Sequence, residues 1–128
     1  MAIVNLEDGN LHSTLSKPGV VVVECWARWC GGCAAFEPAF DAVSRRHEEV
    51  TFAKLDTGTH PGLSDAVGAS QVPTLLIYRD GLLLLRQPGG VDESTLEDMV
   101  SQSLDLDMNA VRAEAEREAR EAVQAVTQ

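Results

Sequence analysis

The chain has 128 residues, 45% of them apolar, and a formal net charge of −10 at neutral pH. This length provides one domain with a substantial core and excludes a second. The 10 Lys and Arg residues are scattered, so no basic surface for nucleic acid is expected, and the apolar runs are too short for a bilayer.

The N-terminal segment, residues 1–17, contains acidic and polar residues and no basic stretch followed by an apolar one. We therefore expect no secretory signal. Three cysteines are too few for a disulfide-stapled scaffold, and this number fits the reducing cytosol best. The expected location is the cytoplasm.

Apolar periodicity and turn residues predict the element order β-α-β-α-β-α-β-β-α, which is typical of an α/β domain with a hairpin near its end. The predicted strands are residues 3–6, 20–26, 51–56, 74–78 and 82–86. The predicted helices are residues 8–16, 34–47, a short one that ends near Gly68, and one capped by Asp92. The dipeptide Asp80-Gly81 favours a tight hairpin turn.

The C-terminal segment has a different composition, and we divide the chain into a domain at 1–105 and an extension at 106–128. From Met108 to Val126 the sequence is rich in alanine and alternating charges and contains neither Gly nor Pro. Glu and Arg side chains four residues apart support an exposed helix. A weak contact with the body of the domain, binding to a partner and self-association all remain open for it.

Cys30 and Cys33 are separated by two glycines and lie directly between a buried strand and a helix. A helix N-terminus stabilises a thiolate, and the thiolate is the nucleophile in disulfide exchange. The alternative, half of a zinc site, is disfavoured because zinc takes four ligands and His12, His47 and His60 are scattered. The pair therefore indicates a redox site.

Several further motifs follow one another along the chain: Trp26-Ala27, Trp29-Cys30-Gly31, Cys33, the helix-kinking Pro38, Val72-Pro73-Thr74, Asp80-Gly81 and Gly89. In this order and spacing they resemble the thioredoxin family over about Val4 to Leu104. The resemblance implies a mixed central sheet of five strands flanked by helices, with a cis peptide bond between Val72 and Pro73.

The resemblance also assigns roles around the two thiols. Cys30 would attack substrate disulfides, and Cys33 would resolve the mixed disulfide. Glu24 stands where the family has a buried aspartate that exchanges a proton with the resolving thiol, and Lys54 stands where an ammonium lies near that acid. A carboxyl group buried among valines should have a raised pKa, which suits proton transfer near neutral pH.

Substrate-binding residues follow from the same resemblance: Trp29, Gly31, Gly32, Val72, Pro73 and Gly89. Gly32 replaces the usual proline and Ala34 replaces the usual basic residue. We expect the more permissive turn at Gly32 to make the dithiol couple less reducing than that of a proline-containing relative, and the missing positive charge at Ala34 to leave the Cys30 thiolate slightly less stabilised. Cys25 is expected to be a small buried side chain, with a regulatory thiol as the lesser alternative.

The function expected from the resemblance is protein disulfide reduction in cell redox homeostasis, with electron transport from NADPH through a thioredoxin reductase. No metal or organic cofactor needs to be bound, and the expected partners are protein disulfides and that reductase. Two alternatives stay open. One is an adaptor subunit that binds through the C-terminal helix, and the other is a thiol oxidase or isomerase.

Overall fold

The structure is a computed structural model that describes residues 3–127. Residues 1 and 2 of the predicted domain and residue 128 of the predicted extension therefore lie outside the described residues. Its strands are β1 (Val4–Asn5), β2 (Val20–Trp26), β3 (Thr51–Asp56), β4 (Thr74–Arg79) and β5 (Leu82–Pro88). Its helices are α1 (Leu11–Leu15), α2 (Gly31–Arg46), α3 (Pro61–Val67), α4 (Glu93–Asp105) and α5 (Met108–Thr127).

The five strands form one mixed sheet in the spatial order β1-β3-β2-β4-β5. β1 and β2 run parallel to β3, whereas β4 is antiparallel to both β2 and β5. β2 lies at the centre and is buried on both faces, which explains its unbroken apolar run of valines. The predicted fold class is confirmed: a mixed five-stranded sheet flanked by helices, followed by a C-terminal helix.

Two helices begin at positions other than the predicted ones. α1 begins at Leu11 rather than Asp8, because the side chain of Asn10 accepts a hydrogen bond from the Glu7 backbone N–H (2.7 Å) and closes a turn first. α2 begins at Gly31 rather than Ala34, because the Cys30 side chain caps it. The dithiol therefore belongs to the first turn of α2.

The core has two parts, one on each face of the sheet, because successive strand residues point to opposite sides. Val20 and Val22 contact the part that contains Phe36 and Phe40 of α2, together with apolar residues of α4. Val23 and neighbouring odd-numbered residues face the other part, beneath α1 and α3. By this alternation Glu24 lies on the α2 side of the sheet.

α5 contacts the domain only through its first turns, as far as the described residues show. Met108 is buried, and the Arg112 guanidinium lies 3.6 Å from the Asp80 carboxylate in the hairpin turn. At the other end, Val126 is 86% exposed. Within residues 3–127, no helix is both long and apolar enough to span a bilayer.

Candidate active site

The two cysteines of the site form a disulfide at the N-terminus of α2. Cys30 is the N-cap residue, and its Sγ accepts a hydrogen bond of 3.0 Å from the backbone N–H of Cys33. Cys30 is partly exposed, whereas Cys33 is only 4% exposed. A substrate disulfide can therefore reach Cys30 directly and Cys33 only after a first bond to Cys30 has formed.

Glu24 is fully buried in the central strand β2. Among the described residues, neither of its carboxylate oxygens has a hydrogen-bond partner. Burial raises the pKa of the Glu24 carboxyl from 4.5 to about 7, and the charge of Lys54 opposes part of this rise. The side chain can thus take up or release a proton near neutral pH.

Lys54 lies directly across from Glu24 in the register of β2 and β3. Its Nζ is 4.0 Å from Oε1 of Glu24 and also donates a hydrogen bond to Glu37 in α2. Lys54, Glu37, Cys30 and Cys33 all line one cavity of about 290 Å³. The cavity places the dithiol and the charged groups next to one another.

Three of the predicted substrate-binding residues come together beside the dithiol. The Val72–Pro73 peptide bond is cis, as expected, and Pro73 is buried. A Cβ atom added at Gly32 would lie 3.3 Å from Cδ of Pro73, so the two residues are in close contact. The backbone N–H of Gly89 donates to the Pro73 carbonyl oxygen (2.8 Å), and Gly89 has a φ of +84°, which favours glycine.

Trp29, in the segment between β2 and α2, packs its indole ring against Gly58 of the loop between β3 and α3 and is 76% exposed. A Cβ atom at Gly58 would be only 2.6 Å from Cη2 of its indole ring, so only glycine leaves room for the ring there. Asp56 fixes the loop, because its carboxylate accepts hydrogen bonds from the backbone N–H groups of Gly58 (3.0 Å) and Thr59 (3.2 Å). The result is a firmly supported, exposed aromatic surface next to Cys30.

Two residues of the site were not identified from the sequence. Glu37 follows Cys33 by four residues, so helical periodicity could have placed it on the same side of α2 as the buried thiol. No feature of the sequence indicates that Gly58 packs against the Trp29 ring, since that contact depends on the path of a loop.

The third cysteine, Cys25, is fully buried and unbonded, as expected. Burial, and then the neighbouring Glu24 carboxyl, raise the pKa of its thiol to about 12. A thiol with so high a pKa is unreactive at neutral pH. Within the part of the chain that the structure describes, no group of three or more His, Cys, Asp or Glu side chains is arranged to hold a metal ion.

We expect Gly32→Pro to lower the reduction potential by roughly 30 mV, equivalent to about 1.4 kcal/mol for a two-electron couple. Proline lacks a backbone N–H, so the helix start would stabilise the Cys30 thiolate less and the reduced form would be disfavoured. Proline is sterically acceptable in the first turn of a helix. Equilibration with glutathione or a reference dithiol measures the shift.

Gly31→Ala is the matched control for Gly32→Pro. It also stiffens the first turn of α2, but no described atom outside its immediate surroundings lies within 4 Å of the added Cβ, and the N–H is kept. Its potential should stay close to that of the wild type. A Gly32→Pro potential equal to or above the wild-type value would show that glycine at this position does not make the couple more oxidising.

The thioredoxin family model matches residues 2–102 of the chain. A relative from Streptomyces coelicolor named thioredoxin 2 is 36% identical over 118 residues, which cover 91% of this chain and 88% of the relative. Thioredoxin C-3 of Corynebacterium nephridii is 30% identical over 79% of this chain and 70% of its own length.

Among solved structures, a thioredoxin variant from Halobacterium salinarum superimposes with a TM-score of 0.74 at 27% identity. The superposition covers 83% of this chain and 97% of the other. The oxidised mitochondrial thioredoxin 3 of Saccharomyces cerevisiae gives a TM-score of 0.72 at 22% identity, over 78% of this chain and 94% of that one, which supports the fold.

Proposed function

The chain belongs to the thioredoxin family of thiol–disulfide oxidoreductases, and from this premise we propose that Cys30 attacks protein disulfides and Cys33 resolves the mixed disulfide. The observation that carries the proposal is the difference in exposure within one disulfide: Cys30 is reachable at the helix start, and Cys33 is buried behind it. Protein disulfides are the substrate class of the family, and thioredoxins need no bound cofactor.

In the reduced protein, the Cys30 thiolate attacks one sulfur of the substrate disulfide. A mixed disulfide forms, and the first substrate sulfur leaves as a thiolate that takes up a proton. Cys33 then loses its proton and attacks Sγ of Cys30, which forms the Cys30–Cys33 disulfide and expels the second substrate thiolate. The dithiol supplies both electrons, so one substrate disulfide becomes two thiols.

We propose that Glu24 accepts the proton that Cys33 loses, and that the charge of Lys54 adjusts the pKa of the Glu24 carboxyl. Support comes from the pKa near 7 and from the cavity that Cys33 and Lys54 share. A carboxyl group that titrates close to the working pH can accept the proton in one step and release it in another.

For substrate binding we propose the area around the dithiol that is formed by Trp29, Gly31, Gly32, Val72, Pro73 and Gly89. The contact between Gly32 and Pro73 and the hydrogen bond from Gly89 to Pro73 support a continuous surface. The indole of Trp29 offers apolar area, and the backbone of Val72 would pair with an extended substrate chain as an added strand.

We further propose that a thioredoxin reductase recharges the disulfide with electrons from NADPH, and that the protein works in the cytoplasm. The bacterial thioredoxin relatives and the low cysteine content support both statements. In this proposal residues 1–105 form the catalytic domain and residues 106–128 an extension.

The test is reduction of insulin by dithiothreitol, followed as turbidity from the precipitating insulin chains. The wild-type chain should speed precipitation well above the rate with dithiothreitol alone. A rate equal to that of dithiothreitol alone would contradict the reductase proposal and favour the adaptor role. A reduction potential far above the thioredoxin value of about −270 mV would instead favour an oxidase or isomerase.

A further inference from the structure

Lys54 is shared between two carboxylates of very different exposure. Its ammonium donates a hydrogen bond to Oε1 of Glu37 and lies 4.0 Å from Oε1 of Glu24. The Glu24 side chain is 0% exposed and that of Glu37 is 46% exposed, with Lys54 between them at 18%. The cation is therefore bonded to the outer carboxylate and only near the inner one.

We propose that Glu37 is a positioning residue that holds the Lys54 ammonium away from Glu24 and so raises the affinity of the buried carboxylate for the proton that it takes from Cys33. This inference rests on the proposed role of Glu24 as the proton carrier. It adds that Glu37, a group at the surface, sets the pH range in which Glu24 binds and releases its proton.

Two effects of Glu37 act in the same direction. An ionised Glu37 repels negative charge on Glu24, and like charges disfavour ionisation. It also engages Lys54, the cation that would otherwise stabilise the Glu24 carboxylate. Glu37 is 46% exposed, so its carboxylate keeps part of its hydration, unlike that of Glu24. Both effects raise the affinity of Glu24 for a proton.

Lys54 from β3 and Cys25 in β2 itself interact with Glu24 directly. Cys33 and Glu37 from α2 and Arg28 from the segment before α2 line the cavity that Lys54 also lines, and Glu37 is the carboxylate of that cavity. From β4, the register partner of Glu24 is Leu75, which is apolar. The buried α4 residues on this face, Leu96 and Val100, are apolar as well.

The test is a pH titration of the Glu24 side-chain carboxyl by carbon NMR in the oxidised full-length protein. Glu37→Gln should move the Glu24 midpoint to lower pH by about one unit, since an opposite charge at this distance lowers a carboxyl pKa by one unit or more. Asp41→Asn is the matched control. Asp41 lies one turn further along α2, is 42% exposed and pairs with Arg45, so its removal should leave the midpoint unchanged.

A double-mutant comparison shows whether Glu37 acts through Lys54. Lys54→Met alone should move the Glu24 midpoint to higher pH, and adding Glu37→Gln should then produce a much smaller downward shift than in the wild type. An unchanged midpoint in Glu37→Gln would overturn the inference. An equal downward shift with and without Lys54 would also overturn it, because Glu37 would then act by direct repulsion alone.

The titration and the insulin assay fail independently. If wild-type protein reduces insulin and the Glu24 midpoint is the same with and without Glu37→Gln, only the positioning role of Glu37 is wrong. If the midpoint responds to Glu37 while wild-type protein leaves insulin intact, the electrostatic coupling stands and the reductase function is wrong.

Discussion

Cys30→Ser is expected to reduce the rate of insulin precipitation to that of dithiothreitol alone. Serine keeps the size of the side chain but its hydroxyl stays protonated at neutral pH, so the helix start holds no nucleophile. Cys33 cannot replace it, because it is 4% exposed and a folded substrate cannot reach it.

Cys33→Ser should lose turnover for a different reason and leave a visible product. Cys30 still attacks, but no second thiol resolves the bond, so a covalent adduct with an insulin chain accumulates. Mass spectrometry under non-reducing conditions detects the adduct, and dithiothreitol should release it.

Cys25→Ser is the matched control for both cysteine variants, since Cys25 is fully buried and unbonded. Its turnover should stay near the wild-type rate. An adduct that forms with Cys30→Ser but not with Cys33→Ser would reverse the proposed order of the two thiols.

The sequence predicted the elements that depend on short-range patterns. The valine run specifies the central strand, the Asp80-Gly81 turn has positive φ at both residues, and Asp92 caps α4 by accepting the backbone N–H of Thr95 at 2.8 Å. The approach of Lys54 to Glu24 was also expected, through the resemblance. The strand, the turn and the cap are fixed by neighbours in the chain, whereas the approach of Lys54 to Glu24 joins two strands and was expected only from the resemblance.

Contacts between distant segments were not predictable in the same way. The bond between Glu37 and Lys54 joins a helix to a strand, so it depends on how closely the two pack. The position of α5 likewise depends on the hairpin. Arg79 of β4 donates hydrogen bonds to the carbonyl oxygens of Ser103 (2.7 Å) and Leu104 (2.9 Å) at the end of α4, and its neighbour Asp80 pairs with Arg112 of α5. Periodicity identifies α5 as a helix but does not say what it contacts.

Glu24→Gln is expected to stabilise the protein at alkaline pH by about 3 kcal/mol relative to the wild type. The folded-state pKa of Glu24 is raised from 4.5 to about 7, chiefly by burial. Below pH 4.5 the carboxyl is protonated in both the folded and unfolded states, so no free energy is lost to burying a charge. Between pH 4.5 and 7 the folded state binds more protons, so wild-type stability falls as the pH rises.

The size follows from the shift, at about 1.4 kcal/mol for each pH unit. Glutamine does not titrate, so its unfolding free energy should lack this decline. The measurement is urea denaturation of oxidised protein from about pH 4 to pH 8. The quantity to compare is how the difference in unfolding free energy between variant and wild type changes with pH. Any constant effect of the buried amide is the same at every pH and drops out of this comparison.

Glu48→Gln is the matched control, because Glu48 is exposed in the turn that follows α2 and its replacement removes the same charge. Its stability difference from the wild type should stay nearly constant over this range. A Glu24→Gln difference that is equally flat would show that Glu24 is not held at a raised pKa.

Glu24→Gln also distinguishes a catalytic role of Glu24 from a structural one. A carboxyl group that costs about 3 kcal/mol when ionised does not stabilise the fold at neutral pH, so its presence requires a chemical reason. Proton exchange with Cys33 supplies that reason. We therefore expect Glu24→Gln to be more stable than the wild type at pH 8 and yet slower in insulin reduction, with the resolution of the mixed disulfide as the slowed step. A variant that is both more stable and equally fast would exclude Glu24 as the proton carrier.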